Sequence, residues 1–202
     1  MKVKVCGITN ARDALLCEAL GADMLGFIFY RKSQRFVEYS AAGEIIGKLN
    51  PETKTVGVFV NETAERVNEA AGHLGLSAVQ LHGDEKPEEV SKIMYPAIKS
   101  FRIKEGFDFS ILDSYRNARA LLDSFAGNQL GGTGKSFNWE IIPDDIKSRI
   151  ILAGGVSASN IGYIYSTIRP YAVDLSSSLE SEPGKKDHAK VKEFFNLLNN
   201  YR

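Results

Sequence analysis

Apolar residues fall in eight short runs along this chain, at residues 3–6, 24–29, 55–60, 78–81, 97–103, 118–123, 150–153 and 172–175. Several runs are nearly continuous in Val, Ile, Leu and Phe rather than alternating, the pattern of strands covered on both faces. Between them lie helical patterns. Residues 11–20 carry apolar Ala14, Leu15, Leu16 and Leu20 and stop at Gly21, a suitable helix-ending glycine. Residues 63–74 start from the cap-like Asn61-Glu62-Thr63, and Pro87 sits where another first helical turn begins. Residues 157–168 run from a serine to just before Pro170, and residues 187–198 set Val191, Phe194, Phe195 and Leu198 on one face. The fifth unit is the weakest, with room at residues 107–115 for only a short helix.

Strands alternating with helices predict a parallel sheet with helices on its faces. Sharing 202 residues among eight units leaves about 25 each, which a strand of ~5, a helix of ~11 and two loops of ~4 consume. The expectation is an α/β fold: one closed (βα)8 TIM barrel with eight parallel strands, residues 1–202 forming a single catalytic domain. The same alternation permits an open doubly wound sheet. The terminal runs 3–6 and 172–175 show no more edge protection than the others, which favours closure.

Charge and composition narrow the partners. Twenty-five basic residues balance twenty-five acidic ones, so no global field recruits nucleic acid or an anionic membrane. An anionic ligand therefore needs a local site. No apolar run reaches the roughly 20 residues of a membrane span, and the amino terminus, strand-like from Lys2, lacks the charged-then-apolar layout expected of a signal peptide. The only cysteines, Cys6 and Cys17, do not form a disulfide framework, so a reducing cytoplasmic setting is expected.

Parallel barrels build their sites from the carboxyl ends of strands. Cys6 ends the first run and precedes Gly7, where loop amides and a helix terminus could stabilise a thiolate. Asp123 ends the sixth run, so its carboxylate should reach the barrel mouth; Asp174 is a second strand-end carboxylate, for which an orienting or structural role competes with a direct, substrate-binding one. Thiol and acid look like a base and an acid delivered to one rim. Glycine- and serine-rich loops follow the last three strands: Gly131-Gly132-Thr133-Gly134-Lys135, Gly154-Gly155 and Ser176-Ser177-Ser178. Such loops bring backbone amides and helix termini to an anion, and barrel phosphate sites typically follow strands seven and eight. Arg35 could clamp a carboxylate bidentately, and His82 could contact a ligand or serve a structural role. His73, His82 and His188 show no metal-ligand spacing, so no metal is expected.

Together these residues resemble the phosphoribosylanthranilate isomerase family over essentially the whole chain. The resemblance runs through Lys4-Val5-Cys6-Gly7-Ile8-Thr9, Gly21-Ala22-Asp23, Gly26-Phe27, Ser33-Gln34-Arg35, and Val56-Gly57-Val58-Phe59-Val60-Asn61. It continues in Val79-Gln80-Leu81-His82-Gly83, Leu121-Leu122-Asp123, Gly131-Gly132-Thr133-Gly134, Leu152-Ala153-Gly154-Gly155 and Ala172-Val173-Asp174. It implies a cofactor-free Amadori rearrangement in tryptophan biosynthesis, acting on a small phosphorylated substrate. Asp123 would be the general acid and Cys6 the general base. Arg35 would hold the anthranilate carboxylate, and Gly134, Gly154, Gly155, Ser177 and Ser178 the phosphate. Ser178 departs from the family, which commonly has glycine there. The sequence leaves monomer and homodimer open. Rival readings are another phosphosugar barrel enzyme and a silent phosphoribosyl-binding module.

Overall fold

The computed structural model describes residues 1–124 and 138–202. Gly131, Gly132, Thr133, Gly134 and Lys135 lie outside these, so the first of the three expected anion loops has no structural account. The eight strands are β1 Lys2–Cys6, β2 Met24–Ile28, β3 Lys54–Phe59, β4 Ala78–Leu81, β5 Ala97–Ile103, β6 Ala118–Ser124, β7 Ile151–Leu152 and β8 Ala172–Leu175. They form a closed parallel barrel in sequence order. β1 supplies the closure, pairing with β2 on one side and with β8 on the other, from Lys2 opposite Ala172 to Val5 opposite Leu175. The open-sheet alternative is thereby excluded.

Alternation along the strands divides the side chains between two environments. Val3, Val5, Leu25, Phe27, Leu122, Leu152, Val173 and Leu175 face outward into the main core beneath the helices. Inside the barrel, Met24, Val56, Ile98, Leu121, Ile151 and Ala172 form an apolar plug. Above that plug the inward positions turn polar. Lys4, Gln80 and Ser100 are buried there, and Cys6, His82, Asp123 and Asp174 border the mouth.

The helices are α1 Ala11–Ala19, α2 Tyr39–Ile46, α3 Ala64–Leu74, α4 Pro87–Val90, α5 Asp144–Lys147, α6 Ile161–Tyr163 and α7 His188–Asn199. α3 begins at the expected Thr63 cap, whose hydroxyl accepts from the Arg66 N–H. α7 is capped by Asp187 and buries all four residues of the expected face. The helix expected over residues 157–168 starts late. Asn160 accepts the Ser157 N–H and donates to the Gly155 carbonyl, closing a turn before α6, which continues as a π-helical turn at Ile164–Ile168. Residues 107–115 form a 3-10 helix, Phe109–Tyr115.

An unexpected antiparallel hairpin, β9 Glu180–Glu182 with β10 Lys185–Lys186, follows β8. Lys186 ties it to the site: its backbone N–H donates to Asp13, and Nζ donates to the Cys6 carbonyl at 2.7 Å. Among the described residues no helix is long and apolar enough to cross a membrane.

Candidate active site

The barrel mouth holds a cavity of about 570 Å³ bordered by Cys6, Arg35, Gln80, His82, Asp123, Asp174 and Ser176, among others. A smaller one of about 140 Å³ adjoins it, bordered by Gly154, Gly155, Ser177 and Ser178 and sharing Asp123, Asp174 and Ser176. Every expected site residue among the described ones therefore meets at one end of the barrel. The division is also chemical: acid–base groups and an arginine line one cavity, and two amide-rich loops line the other.

Asp123 is buried where β6 ends. One carboxylate oxygen accepts the Ser124 N–H at 2.8 Å, and the other lies 3.9 Å from His82 Nε2. Burial, with Asp174 nearby, pushes its pKa up to about 6, so about a tenth of it stays protonated at pH 7. Gly154, with φ +73°, lets the β7 loop close over this acid. A Cβ there would sit 2.4 Å from Ser124 N and 2.8 Å from Asp123 Oδ1.

His82 is held by its Nδ1, which accepts from Gln80 Nε2 at 3.0 Å and lies 2.8 Å from Ser100 Oγ. An amide donor at Nδ1 leaves the ring proton on Nε2, the nitrogen nearer Asp123. Burial, with Lys4, Lys99 and Arg102 near, pulls the pKa down to about 4. His82 is thus a neutral imidazole near neutral pH.

Cys6 departs from the expectation of an easily ionised thiol. Burial pushes its pKa up, Asp174 adds to that, and the nearby Lys4 ammonium opposes both. The opposing charge comes from the barrel interior rather than from a helix terminus. Asp174 is drawn into the same group, accepting from Lys4 Nζ at 3.0 Å.

Arg35 reaches the mouth from the loop after β2 with its guanidinium already engaged. Nε donates to both oxygens of Glu180, and Nη2 donates to Oε2 at 2.7 Å. Lys186 Nζ donates to the same carboxylate at 2.9 Å. The loop after β8 turns through a single 3-10 turn at Ser177–Leu179. A turn this short carries no long helix dipole, so backbone amides are what it offers an anion. Ser178 is accommodated without backbone strain, since its φ is not positive.

Sequence reasoning missed Lys4 and Glu180. Lys4 had a signal: it shares the parity of Cys6 in a strand whose other positions are valine, so it must point into the barrel. Glu180 had only the Pro183-Gly184 turn beside it, because strands this short carry no periodicity.

A parallel barrel whose mouth pairs an acid of raised pKa and a thiol with an amide-lined recess is an acid–base enzyme of the phosphosugar kind. The family model "N-(5'phosphoribosyl)anthranilate (PRA) isomerase" matches residues 3–197. The chain belongs to this family, the isomerases of tryptophan biosynthesis. The N-(5'-phosphoribosyl)anthranilate isomerase of Trichlorobacter lovleyi is 45% identical over 196 residues, covering 96% of each chain. The crystal structure of the Thermotoga maritima phosphoribosylanthranilate isomerase superposes with TM-score 0.91 at 39% identity, covering 99% of each chain. Another isomerase structure, a complex with reduced 1-(o-carboxyphenylamino)-1-deoxyribulose 5-phosphate, gives TM-score 0.87 at 37% identity, covering 99% of each chain.

Proposed function

We propose that this isomerase rearranges N-(5-phosphoribosyl)anthranilate to 1-(2-carboxyphenylamino)-1-deoxyribulose 5-phosphate, with Asp123 as general acid and Cys6 as general base. Asp123 protonates the furanose ring oxygen and the sugar opens to a Schiff base. Cys6 then removes the C2 proton, giving an enolamine that tautomerises to the ketone. Each positioned proton transfer can contribute ~10²–10⁴ in rate.

The observation that carries the reading is the raised pKa of Asp123 in a mouth it shares with the Cys6 thiol. A general acid needs access to its protonated form at working pH, and burial moves Asp123 towards that range. Arg35 takes the anthranilate carboxylate, and neutral His82 donates to the substrate from Nε2. Asp174 lies beneath the sugar. Gly154, Gly155, Ser177 and Ser178 take the phosphate, with Gly134 from the loop after β6 as a further contact. Such an anchor converts remote binding energy into alignment of the reacting carbons.

The protein acts as a monomer or a homodimer; the Thermotoga maritima relative is described as dimeric. Residues 1–202 act as one catalytic domain. A reducing cytoplasm suits a working Cys6, and both thiols are free.

The test is the loss of anthranilate fluorescence when purified protein meets freshly generated phosphoribosylanthranilate. Rapid loss, much reduced in Cys6→Ser and in Asp123→Asn, is expected. Tight binding without turnover, or turnover only of another phosphosugar, would overturn the reading.

A further inference from the structure

Lys4 has no solvent exposure, yet it sits in the barrel interior where an aliphatic side chain would pack without electrostatic cost. Burying an ammonium is unfavourable unless partners compensate it. Two do. Nζ donates to Asp174 Oδ1 at 3.0 Å, and the Cys6 sulfur, near enough to favour its charge, lies beside it. Burial works against the charge, but Asp174 and Cys6 together hold the Lys4 pKa above the ordinary lysine value, so it is a cation.

Gly26 on β2 makes the arrangement possible. A Cβ there would lie 2.8 Å from Cys6 Sγ and 3.1 Å from Lys4 Nζ. Sulfur and ammonium thus converge on one gap that a larger residue would fill. Asp174 alone could neutralise a buried lysine, but it does not require the ammonium to reach the sulfur.

We propose that Lys4 is the positioning residue of the base: its ammonium, anchored by Asp174, stands against Cys6 Sγ as the counter-charge for a thiolate. The inference rests on the reading of Cys6 as base. In that step the thiolate lone pair takes the C2 proton of the Schiff base. The C2–H electron pair becomes the C1–C2 double bond, and the electrons of the former carbon–nitrogen double bond settle on nitrogen. Sulfur passes from anion to neutral thiol while Lys4 keeps its proton.

The other charges around Cys6 do not replace Lys4. Gly26 on β2 brings none, and Asp174 from β8 is an anion. Lys186 from β10 also lowers the Cys6 pKa, but less than Lys4 does, and its Nζ donates to the Cys6 carbonyl and to Glu180. Arg35 is bound to Glu180, His82 is neutral, and Asp123 across the mouth is an acid.

The experiment is the rate of Cys6 alkylation by iodoacetamide as a function of pH, with the modified residue identified by mass spectrometry. Cys17 does not compete, since it is buried with its thiol pushed up to about 12. In the double variant Lys4→Met with Asp174→Asn, which removes the pair without stranding either charge, alkylation near neutral pH should fall about tenfold, one pKa unit. Asp174→Asn alone should act in the opposite sense, because an anion leaves while the ammonium stays. A lysine that merely fills space would move neither titration, or would move both the same way, and either result overturns the proposal. Should the double variant fail to fold, Lys4→Gln decides: no upward shift in the thiol titration rejects the counter-charge. Full turnover by Cys6→Ser would instead reject the base assignment while leaving this titration result intact.

Discussion

Glu180 holds Arg35 along one edge of its guanidinium, taking Nε at 2.9 and 3.0 Å and Nη2 at 2.7 Å. Burial works against the charge on Glu180, but Arg35 and Lys186 outweigh it and keep the acid below the ordinary glutamate value. Among the described residues Nη1 has no protein hydrogen-bond acceptor. Arg35 is therefore fixed before substrate arrives, with a donor to spare, and the hairpin after β8 does the fixing.

Arg35→Lys keeps the charge but loses the planar fork. It should raise KM for the carboxylated substrate about tenfold or more while kcat moves less, the pattern of lost ground-state binding. Glu180→Gln should shift KM the same way by a smaller factor. Unchanged steady-state constants in both would remove Arg35 as the carboxylate clamp.

Asp123 should be a stability cost. Its folded pKa of about 6 lies above the ordinary carboxyl value of 3.8, so the fold prefers the protonated form. The penalty is absent below pH 4, grows as pH rises through 6, and is complete above it. Asp123→Asn removes it, worth about 2–3 kcal/mol at pH 8. Thermal melts should show the variant gaining over wild type at pH 8 and little at pH 4. Equal gaps at both would mean the acid is not perturbed.

His82 should stay neutral well below the usual histidine range. With a folded pKa of about 4 against an ordinary 6.5, it favours the fold's neutral form. Its contribution to stability is intact above pH 6.5 and is lost as pH falls toward 4. Nitrogen-15 spectra of the imidazoles should show the Nε2–H form unchanged down to pH 5, whereas titration near 6.5 would contradict the buried contacts with Gln80 and Ser100.

Gly154→Ala combines a left-handed backbone with a Cβ against Ser124 and Asp123. The variant should melt earlier and lose turnover by at least about tenfold through displacement of the acid. Wild-type kinetics would show that the β7 loop does not set the position of Asp123.

The barrel was legible because strands buried on both faces carry long apolar runs, and the spacing of eight such runs limits the architecture. β7 shows the limit: residues 150–153 read as a strand, yet regular strand spans only Ile151–Leu152, with Ile150 and Ala153 each adding one backbone hydrogen bond to a neighbouring strand before the Gly154-Gly155 loop. Cys6, His82, Asp123 and Asp174 could be found from strand ends alone. Their ionisation could not, since it depends on which charges lie across the barrel. Lys4 and Asp174 are 170 residues apart in sequence and opposite one another in register. α2 was passed over as well, its Tyr39-Ser40-Ala41-Ala42-Gly43 start lacking a side-chain cap.

The division of labour between Asp123 and Cys6 is tested most directly with substrate deuterated at C2. Cys6→Ser should slow proton abstraction until it limits turnover, giving a large normal isotope effect. Asp123→Asn should slow ring opening instead, so that its residual turnover shows an isotope effect near unity. The reverse pattern, or the same isotope effect in both variants, would contradict the assignment of acid and base.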